Sequence, residues 1–549
     1  MAKVYENYDR LQALNGIFDK KFESKDYLNA LLTINSLEKN GLSETDVCLK
    51  RAKVFFQMER FSQAADEWFK YLGLVDNEKS YARAYNGLGA CFFKMGDDKV
   101  AGYYFNRQIM SNKKGVYDYS YVTAEFFEEM LSADKNYYLA YPYDKADFTK
   151  VLSKAEDLLK GGDYDGALKT LEVIPENSKY YATSLVTSSI GKFFKGNVKE
   201  AFNDVEKSIE IEKSVIAVCN AISMYTAEKN TEKAEEYLRI LETLKIEDDE
   251  DIYKVSMIYC ERGNDTLALE YAQRYLKNNP YDASMLLLYG VMNYNLKNYP
   301  LSEESFKKAY QITGGYVAKY YLKIAEKKAY ERLEYTYDLQ PDDRVKTLKQ
   351  LTAIMKAGAE ERLIRQGEVY DLADYAFSSN SYQFQSSIIT LLGELATENA
   401  VSLMKKAVRL VNVYDRIKAG VLGFLTADGF DGELGSVFGN VYRKIKFYKA
   451  VFDNDDTVFT EAYAYVFAKL APLEPEMKPI RDSAENIYKT LKEKGLLNEI
   501  LDVRSLSAVI YELSTIAKIK SRREFASFFE GNLKEIKRIK SLIQENLTE

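Results

Sequence analysis

The sequence predicts an all-α protein: an α-solenoid of helical hairpins fills the N-terminal half, and a further helical region follows it. Three observations support this fold class. A spacing close to 34 residues recurs through roughly the first 300 positions. The 549 residues include only 28 glycines and 8 prolines, which suits helices joined by short turns. Apolar residues also keep a helical spacing after the recurrence fades at Gly314.

The recurring feature is a small residue followed four positions later by an apolar or aromatic residue. It occurs at Ala30, Ala64, Ala101, Ala167, Ala201, Ala234, Ala268 and Ser302. The steps are 34, 37, 66, 34, 33, 34 and 34 residues, and the step of 66 leaves room for one degenerate unit at 115–147. With Gly89 and Gly290, these small residues are expected where two helices cross closely. A single hairpin cannot bury its apolar face alone, so neighbouring hairpins must stack.

The clearest unit is YARAYNGLGACFFKMGDDKVAGYYF, in which Gly96 ends the first helix and Ala101 and Phe105 face back from the second. These residues resemble the tetratricopeptide repeat family, whose pattern W-x-x-L-G-x-x-Y … A-x-x-x-F … A … P appears in degenerate form. The match is strongest in the units centred on Ala101, Ala268 and Ser302, and it spans about residues 10–312. The resemblance implies a superhelix of helical hairpins that binds a protein or peptide.

In this family the first helices of successive hairpins line a groove. The row eight positions before each small residue is Phe22, Phe56, Phe93, Leu159, Phe193, Thr226, Cys260 and Tyr294, and the row fifteen before is Asn15, Leu49, Asn86, Leu152, Val186, Cys219, Tyr253 and Leu287. The resemblance implies a groove more apolar and aromatic than charged, which takes an amphipathic helix or an extended apolar peptide. The candidate partner-binding residues are Phe22, Phe56, Phe93, Phe193, Tyr253, Leu287 and Tyr294. Alternatively, this aromatic row only packs.

Family members that clamp acidic chaperone C-termini have an asparagine after the Leu-Gly pair, where this chain has Ala90 and Val291, so that role is not expected. We expect the solenoid over 1–312, a helical, HEAT-like region over 313–471, a proline-rich linker over 472–479 and a helical segment over 480–549. One long helix is expected to end before Pro341. The pieces SSIITLLGELATEN and RIKAGVLGFLTADG align Gly393 with Gly423 as two HEAT-like hairpins.

The chain contains no histidine, which excludes Ser-His-Asp and Cys-His catalysis and imidazole metal ligands. Cys48, Cys91, Cys219 and Cys260 lie far apart and are expected to be packed thiols. We therefore expect no cofactor and no metal. The glycine-rich DGFDGELGSVFG fits no phosphate-binding motif and is expected to be an inter-helix loop. The acidic stretches FDNDDTVFTE and IEDDEDI are expected to be solvated loops or helix caps rather than calcium sites.

Net charge is −7 and the pI is near 5.4, which implies no general attraction to nucleic acid. The basic C-terminal stretch Lys518–Lys540 contains interleaved glutamates and is expected to be the charged face of an amphipathic helix. The opening MAKVYENYDR has no apolar core, and no run of about 18 apolar residues occurs. We therefore expect a cytoplasmic protein without membrane insertion.

Three functions remain in competition. The first is a non-catalytic scaffold or adaptor that binds a protein or peptide of unknown identity through the groove. The alternative is a peptide-responsive intracellular regulator whose C-terminal half is the output. The third is an enzyme in residues 314–549, which would have to use Asp, Glu, Lys, Tyr or Arg alone. No paired-carboxylate motif stands out there, so the scaffold is favoured.

Overall fold

A computed structural model describes residues 2–111, 148–160, 162–379, 381–453, 456–473, 476–517, 519 and 521–547. The chain divides into two compact units. The middle unit is Ala140–Gln340, and the terminal unit combines Met1–Leu139 with Pro341–Glu549. The predicted degenerate repeat at 115–147, including a helix expected over Tyr119–Leu131, lies outside the described residues.

Paired helices form the N-terminal part of the terminal unit and nearly all of the middle unit. The terminal unit begins with α1 (Ala2–Glu23), α2 (Tyr27–Lys39), α3 (Glu44–Gln57), α4 (Phe61–Leu74), α5 (Glu78–Lys94) and α6 (Asp98–Ser111). The middle unit contains α7 (Thr149–Lys160), α8 (Tyr164–Leu171), α9 (Tyr181–Phe194), α10 (Val198–Ile211), α11 (Val215–Ala227), α12 (Thr231–Leu241), α13 (Asp249–Glu261), α14 (Asp265–Asn278), α15 (Ala283–Asn295), α16 (Tyr299–Thr313) and α17 (Tyr316–Lys327). The predicted all-α solenoid is confirmed.

The small residues of the recurring pattern lie on the second helix of each hairpin. Ala30, Ala64, Ala101, Ala167, Ala201, Ala234, Ala268 and Ser302 are all at most 1% exposed. On the first helices, a Cβ added at Gly89 would lie 2.6 Å from the Phe105 ring, and one at Gly290 would lie 2.4 Å from the Phe306 ring. The two helices of each hairpin can therefore cross closely only because the residue at the crossing has no side chain or a small one.

The turn inside each hairpin has the same period as the small residues. A residue with positive φ stands five positions before each small residue: Lys25, Glu59, Gly96, Gly162, Gly196, Lys229, Gly263 and Lys297. A polar residue then caps several of the second helices. For example, Asn264 Oδ1 accepts a hydrogen bond from Leu267 N at 3.2 Å. The left-handed turn ends one helix and the cap begins the next, so the hairpin geometry repeats even where glycine is replaced.

The C-terminal part of the terminal unit is mainly helical. It contains α18 (Pro341–Lys356), α19 (Ala359–Ile364), α20 (Gln366–Ser378), α21 (Tyr382–Leu395), α22 (Glu398–Ala407), α23 (Asp415–Ala427), β1 (Gly432–Phe438), β2 (Val441–Phe447), α24 (Thr457–Leu470), α25 (Lys478–Glu493), a short 3₁₀ turn (Leu497–Glu499), α26 (Val503–Glu512), α27 (Arg522–Phe528) and α28 (Leu533–Leu547). Gly393 of α21 marks a close crossing, since an added Cβ would lie 2.3 Å from Phe424 of α23.

The prediction that the glycine-rich stretch is an inter-helix loop is wrong in part. The stretch contains strand β1, which pairs antiparallel with β2. Phe438 pairs with Val441, so Gly439 and Asn440 form a two-residue turn, and both have positive φ. This is the backbone that a tight hairpin turn requires and that glycine and asparagine tolerate. As a result, α23 is followed by a β-hairpin and not by the second helix of a HEAT-like unit.

The β-hairpin packs on the N-terminal hairpins of the terminal unit. The hydroxyl of Tyr104 donates to Asn440 O at 2.7 Å and accepts from Tyr442 N at 2.9 Å. The Tyr442 ring stacks on Phe69 of α4, and the buried side chain of Val437 joins the apolar core of α4–α6. Residues more than 300 positions apart in sequence therefore form one core.

The long helix predicted to end before Pro341 stops at Lys327 instead. Lys328 adopts a left-handed conformation with φ of 49°, and residues 328–340 are irregular. The other local predictions agree better with the structure. Asp248 caps α13 by accepting from Glu250 N at 2.8 Å, and Arg538 in the basic C-terminal stretch pairs with Glu535 at 2.6 Å.

Gly290→Ala tests the close crossing of α15 and α16. The added methyl group would have to displace the buried Phe306 ring, so we expect the free energy of unfolding to fall by about 1–2 kcal/mol, even though alanine favours helix. Urea unfolding followed by circular dichroism measures this change. Gly420→Ala is the matched control, because its added Cβ meets nothing within 4 Å. An equal gain of stability in both variants would contradict the crossing argument.

The partly buried carboxyl of Asp66 on α4 faces the loop between α22 and α23 and accepts a hydrogen bond from Val411 N at 3.3 Å. Burial raises its pKa to about 7; the neighbouring Glu67 also raises it, and the charge of Lys418 and the Val411 hydrogen bond oppose this. A raised carboxyl pKa favours the folded state at low pH. This contribution is complete below the ordinary value of 3.8 and is lost as pH rises to about 7.

Asp66→Asn should therefore flatten the pH dependence of stability. We expect the wild type to lose about 1–2 kcal/mol of unfolding free energy between acidic and mildly alkaline pH through this group, and the variant to lose less. The single tryptophan, Trp68, is a fluorescence probe of the same unit. The exposed Asp76→Asn serves as the control. Identical pH profiles for wild type and Asp66→Asn would refute the assignment.

Candidate functional site

One cavity of the middle unit lies along the first helices of three successive hairpins. It has a volume of about 720 Å³ and is lined by Ile190, Phe193, Phe194, Cys219, Asn220, Ser223, Met224, Thr226, Ala227, Tyr253, Lys254, Met257, Ile258, Glu261 and Tyr337. Helices α9, α11 and α13 provide all of these residues except Tyr337. Because the repeat places equivalent residues at equal steps, their side chains converge on one surface.

The lining is mostly apolar, and its polar groups are largely satisfied. Two lining residues carry charge, Lys254 and Glu261, and Ser223 Oγ donates to Glu261 Oε2 at 2.7 Å. Burial raises the pKa of the Cys219 thiol to about 12, so this cysteine stays protonated and unreactive. In the described part of the chain, no group of three or more Cys, Asp and Glu residues is placed to hold a metal ion. The cavity is suited to apolar side chains.

Residues 328–340, called the groove segment below, form an irregular stretch with bends that lies against α13–α17. The Tyr294 hydroxyl accepts from Tyr330 N at 3.0 Å and donates to Tyr330 O at 2.5 Å. The Asn295 side chain donates to Leu333 O at 3.0 Å and accepts from Leu333 N at 2.8 Å. Lys297 Nζ donates to Glu331 O at 2.5 Å. The main chain of this segment is thus held by side chains of the repeat.

Burial alternates over a short part of the groove segment, from Arg332 to Glu334. Leu333 is 1% exposed and packs with Leu287, Val291 and Tyr294, whereas its neighbours in sequence are exposed. Tyr335 packs against the same core from two positions further on. This alternation lets one side of the segment fill the groove while the other faces solvent.

Asp265, the first residue of α14, binds two side chains of the groove segment. Arg332 donates to both carboxylate oxygens at 2.6 and 2.8 Å, and the Tyr335 hydroxyl donates to Oδ1. Burial alone would raise the pKa of Asp265, but the hydrogen bonds from Arg332 and Tyr335 outweigh it and lower the pKa. The ionised carboxylate therefore stabilises this contact above its ordinary pKa, and the contribution is lost as pH falls below that value.

Tyr337 connects the groove segment to the cavity. Its hydroxyl lies 2.5 Å from the Tyr253 hydroxyl and 3.4 Å from Met257 Sδ, and its ring lines the cavity. The pKa of Tyr337 is raised, chiefly by burial and then by the hydrogen bond to Tyr253. The groove segment therefore meets the cavity at Tyr337, near the C-terminal end of the segment.

The sequence-predicted groove residues fall into three groups. Phe193 and Tyr253 line the middle-unit cavity, and Phe56 lines a smaller cavity in the terminal unit. Phe22 packs on Phe18 and Tyr27, and Phe93 is 40% exposed. Leu287 and Tyr294 are 6% and 0% exposed and pack in the same core as Leu333 of the groove segment. A partner-binding role stays a prediction for all seven residues.

The cavity of the terminal unit has a volume of about 220 Å³ and differs in chemistry from the first. It is lined by Leu49, Ala52, Lys53, Phe56, Trp68, Arg83, Asn86, Gly87 and Ala90. Two cations therefore border it, which the sequence analysis did not anticipate. Asn86 Oδ1 is buried without a hydrogen-bond partner among the described residues. Trp68 closes one wall, and a Cβ added at Gly87 would lie 2.1 Å from its ring.

Sequence reasoning missed the groove segment. Tyr330, Leu333 and Tyr337 are spaced as on one face of a helix, while Leu333, Tyr335 and Tyr337 alternate as in a strand. The second pattern is the correct one. The alternation of apolar residues at Leu333, Tyr335 and Tyr337 is the signal that could have shown that this stretch is not a helix. It continues to within a few residues of Pro341.

Together, the paired helices, the close crossings and the groove define a helical-repeat protein. A family profile described as "Tetratricopeptide repeat" matches residues 259–317, which span α14, α15 and α16. Over these residues the chain therefore matches the tetratricopeptide repeat, as the sequence predicted. No curated protein gives a significant match. In the described residues, no helix is both long enough and apolar enough to cross a membrane.

Two solved structures resemble this chain at low identity. The first is described as "Crystal structure of APC/C hetero-tetramer Cut9-Hcn1", at 13% identity and a TM-score of 0.26, covering 75% of this chain and 96% of that chain. The second is yeast Tom70, at 16% identity and a TM-score of 0.19, covering 98% of this chain and 99% of that one. At these TM-scores, neither arrangement of helices superposes on this one over most of its length.

Proposed function

We propose that the protein is a non-catalytic scaffold that binds an extended, largely apolar segment of a partner protein in the groove of its middle unit. The observation that carries this proposal is the open cavity beside Tyr337. Its volume of about 720 Å³ lies in the range of ligand-binding sites, and its apolar lining is already formed. The cytoplasmic location expected from the sequence stays a prediction.

The geometry of the groove supports a peptide rather than a compact ligand. The cavity is built by three parallel rows of side chains on α9, α11 and α13, so it continues along the repeat. Next to it, the side chains of Tyr294 and Asn295 already hold the main chain of another stretch of this protein. A groove that satisfies the polar groups of one main chain is able to accept another.

The residues of the cavity favour binding over catalysis. A general acid, a general base or a nucleophile needs a pKa matched to its task. Burial instead raises the pKa of the Cys219 thiol to about 12, and it also raises the pKa of the Tyr253 hydroxyl. These groups are therefore neutral at physiological pH, which suits contact with apolar side chains.

The proposal is tested by selecting a phage-displayed library of random linear peptides on the full chain. We expect enrichment of peptides rich in apolar and aromatic residues. Ile190→Glu places a charge in the cavity wall and should weaken their binding by about 10- to 100-fold, which matches the burial energy of one large apolar side chain. Fluorescence anisotropy with the selected peptides measures this change.

Ile211→Glu is the matched control, since Ile211 lies in the same unit, is 53% exposed and does not line the cavity. It should bind the selected peptides as the wild type does. The proposal is wrong if no peptide is enriched, or if the selected peptides bind Ile190→Glu, shown to be folded by circular dichroism, as tightly as the wild type.

A further inference from the structure

The groove segment has the features of a bound peptide ligand, although it belongs to the same chain. It has no regular secondary structure, Leu333 is buried between exposed neighbours, and side chains of the repeat bind its main chain. The Arg332 side chain is 50% exposed and Tyr337 is 46% exposed, so much of the segment stays in contact with water. Leu333 provides its one deep anchor between residues 330 and 337.

We infer that residues 330–337 are a resident ligand of the groove, which a segment of a partner protein with the same chemistry displaces. This inference rests on the proposed function, because it assumes that the groove of the middle unit binds peptides. The partner segment is extended and carries Arg, Leu and Tyr at the spacing of Arg332, Leu333 and Tyr335. The resident segment thus regulates access to its own site.

The repeat contacts the groove segment in two ways: some contacts bind its backbone and others bind its side chains. The side-chain contacts determine which partner segment can bind. Tyr294 and Asn295 bind backbone atoms of Tyr330 and Leu333, so they serve any extended chain. The selective contacts are the apolar pocket around Leu333 and the carboxylate of Asp265. Exchange of one extended chain for another therefore leaves the backbone contacts in place, and the side chains decide which segment binds.

Asp265 requires that the occupant of the groove be cationic at one position. Its side chain is only 9% exposed, and Arg332 pairs with both of its oxygens. If the groove segment left and nothing replaced it, the carboxylate would keep a buried charge without its counterion, which is strongly unfavourable. A competing segment therefore has to supply an arginine, whose planar guanidinium makes the same two-pronged contact.

The test uses the full chain opened by the double substitution Arg332→Ala/Leu333→Asp, which removes the charge contact and the apolar anchor. The probe is a fluorescein-labelled synthetic peptide with the sequence of residues 328–340. We expect the opened variant to bind this peptide at least tenfold more tightly than the wild type, whose groove is occupied. A second peptide with the Leu333 position changed to Asp is the control and should not bind.

Adding Asp265→Asn to the opened variant should weaken peptide binding about tenfold, because the arginine of the peptide loses its carboxylate. The inference is overturned if the opened variant is folded and ignores the peptide, or if the wild type binds the peptide equally well. It is also overturned if Asp265→Asn has no effect.

Hydrogen–deuterium exchange on the wild type decides the question if the opened variant does not fold. The Tyr330 and Leu333 amides should exchange at least tenfold faster than the amides of α15, because a resident ligand leaves without unfolding the helix that holds it. Exchange only together with α15 would show that the segment is an inseparable part of the core.

The two proposals fail in different ways. One outcome is that the opened variant binds the peptide while library selection yields no peptide whose binding depends on Ile190. In that case the resident-ligand inference is supported and the proposed use of the cavity is wrong. If selected peptides depend on Ile190 but the opened variant ignores the peptide of residues 328–340, the reverse holds.

Discussion

The structure depends on the close approach of two helices within each repeat. At Gly290 a single methyl group would collide with the Phe306 ring, and Ala268 and Ser302 occupy equivalent buried positions on their second helices. Close crossing fixes the angle and separation of each helix pair, and repetition passes that geometry to the next pair. The first helices are therefore held in register, and their side chains align into the rows that line the groove.

The groove segment follows from this arrangement. An extended chain leaves its backbone N–H and C=O groups unpaired, so burial against a protein requires partners for them. The repeat supplies such partners near the C-terminal end of α15, where Tyr294 and Asn295 bind the backbone of Tyr330 and Leu333. Because these hydrogen bonds replace those of a helix, residues 328–340 can remain irregular although their sequence has a helical spacing.

The periodic part of the structure could be predicted from the sequence, and the non-periodic part could not. Phe193, Thr226 and Tyr253 were placed on groove-side rows by counting back from the small residues, and they share one cavity. The same counting placed Tyr294 on a groove-side row, and a later stretch of the chain returns to bind it there. That return depends on contacts between Tyr294 and Tyr330, 36 residues apart, which no local pattern encodes.

The β-hairpin illustrates the same limit. Its turn, Gly439–Asn440, is a local signal that sequence analysis could have used, and both residues adopt the positive φ that such turns require. Its position could not be found in the same way. The hydroxyl of Tyr104 binds the backbone of Asn440 and Tyr442, more than 300 residues later, and only the folded core brings these elements together.

A resident ligand also explains why the groove continues into an open cavity. A short tether gives the groove segment an effective concentration of about 1 mM, so a partner present at about 1 μM with identical contacts would lose the competition by about a factor of 1,000. That factor corresponds to about 4 kcal/mol. One large apolar side chain buried in the cavity beyond Tyr337 contributes about 1.5–3 kcal/mol, so two such residues would offset the difference. The cavity then acts as a selectivity filter: a segment that only copies residues 332–335 is excluded, and one that also fills the cavity binds.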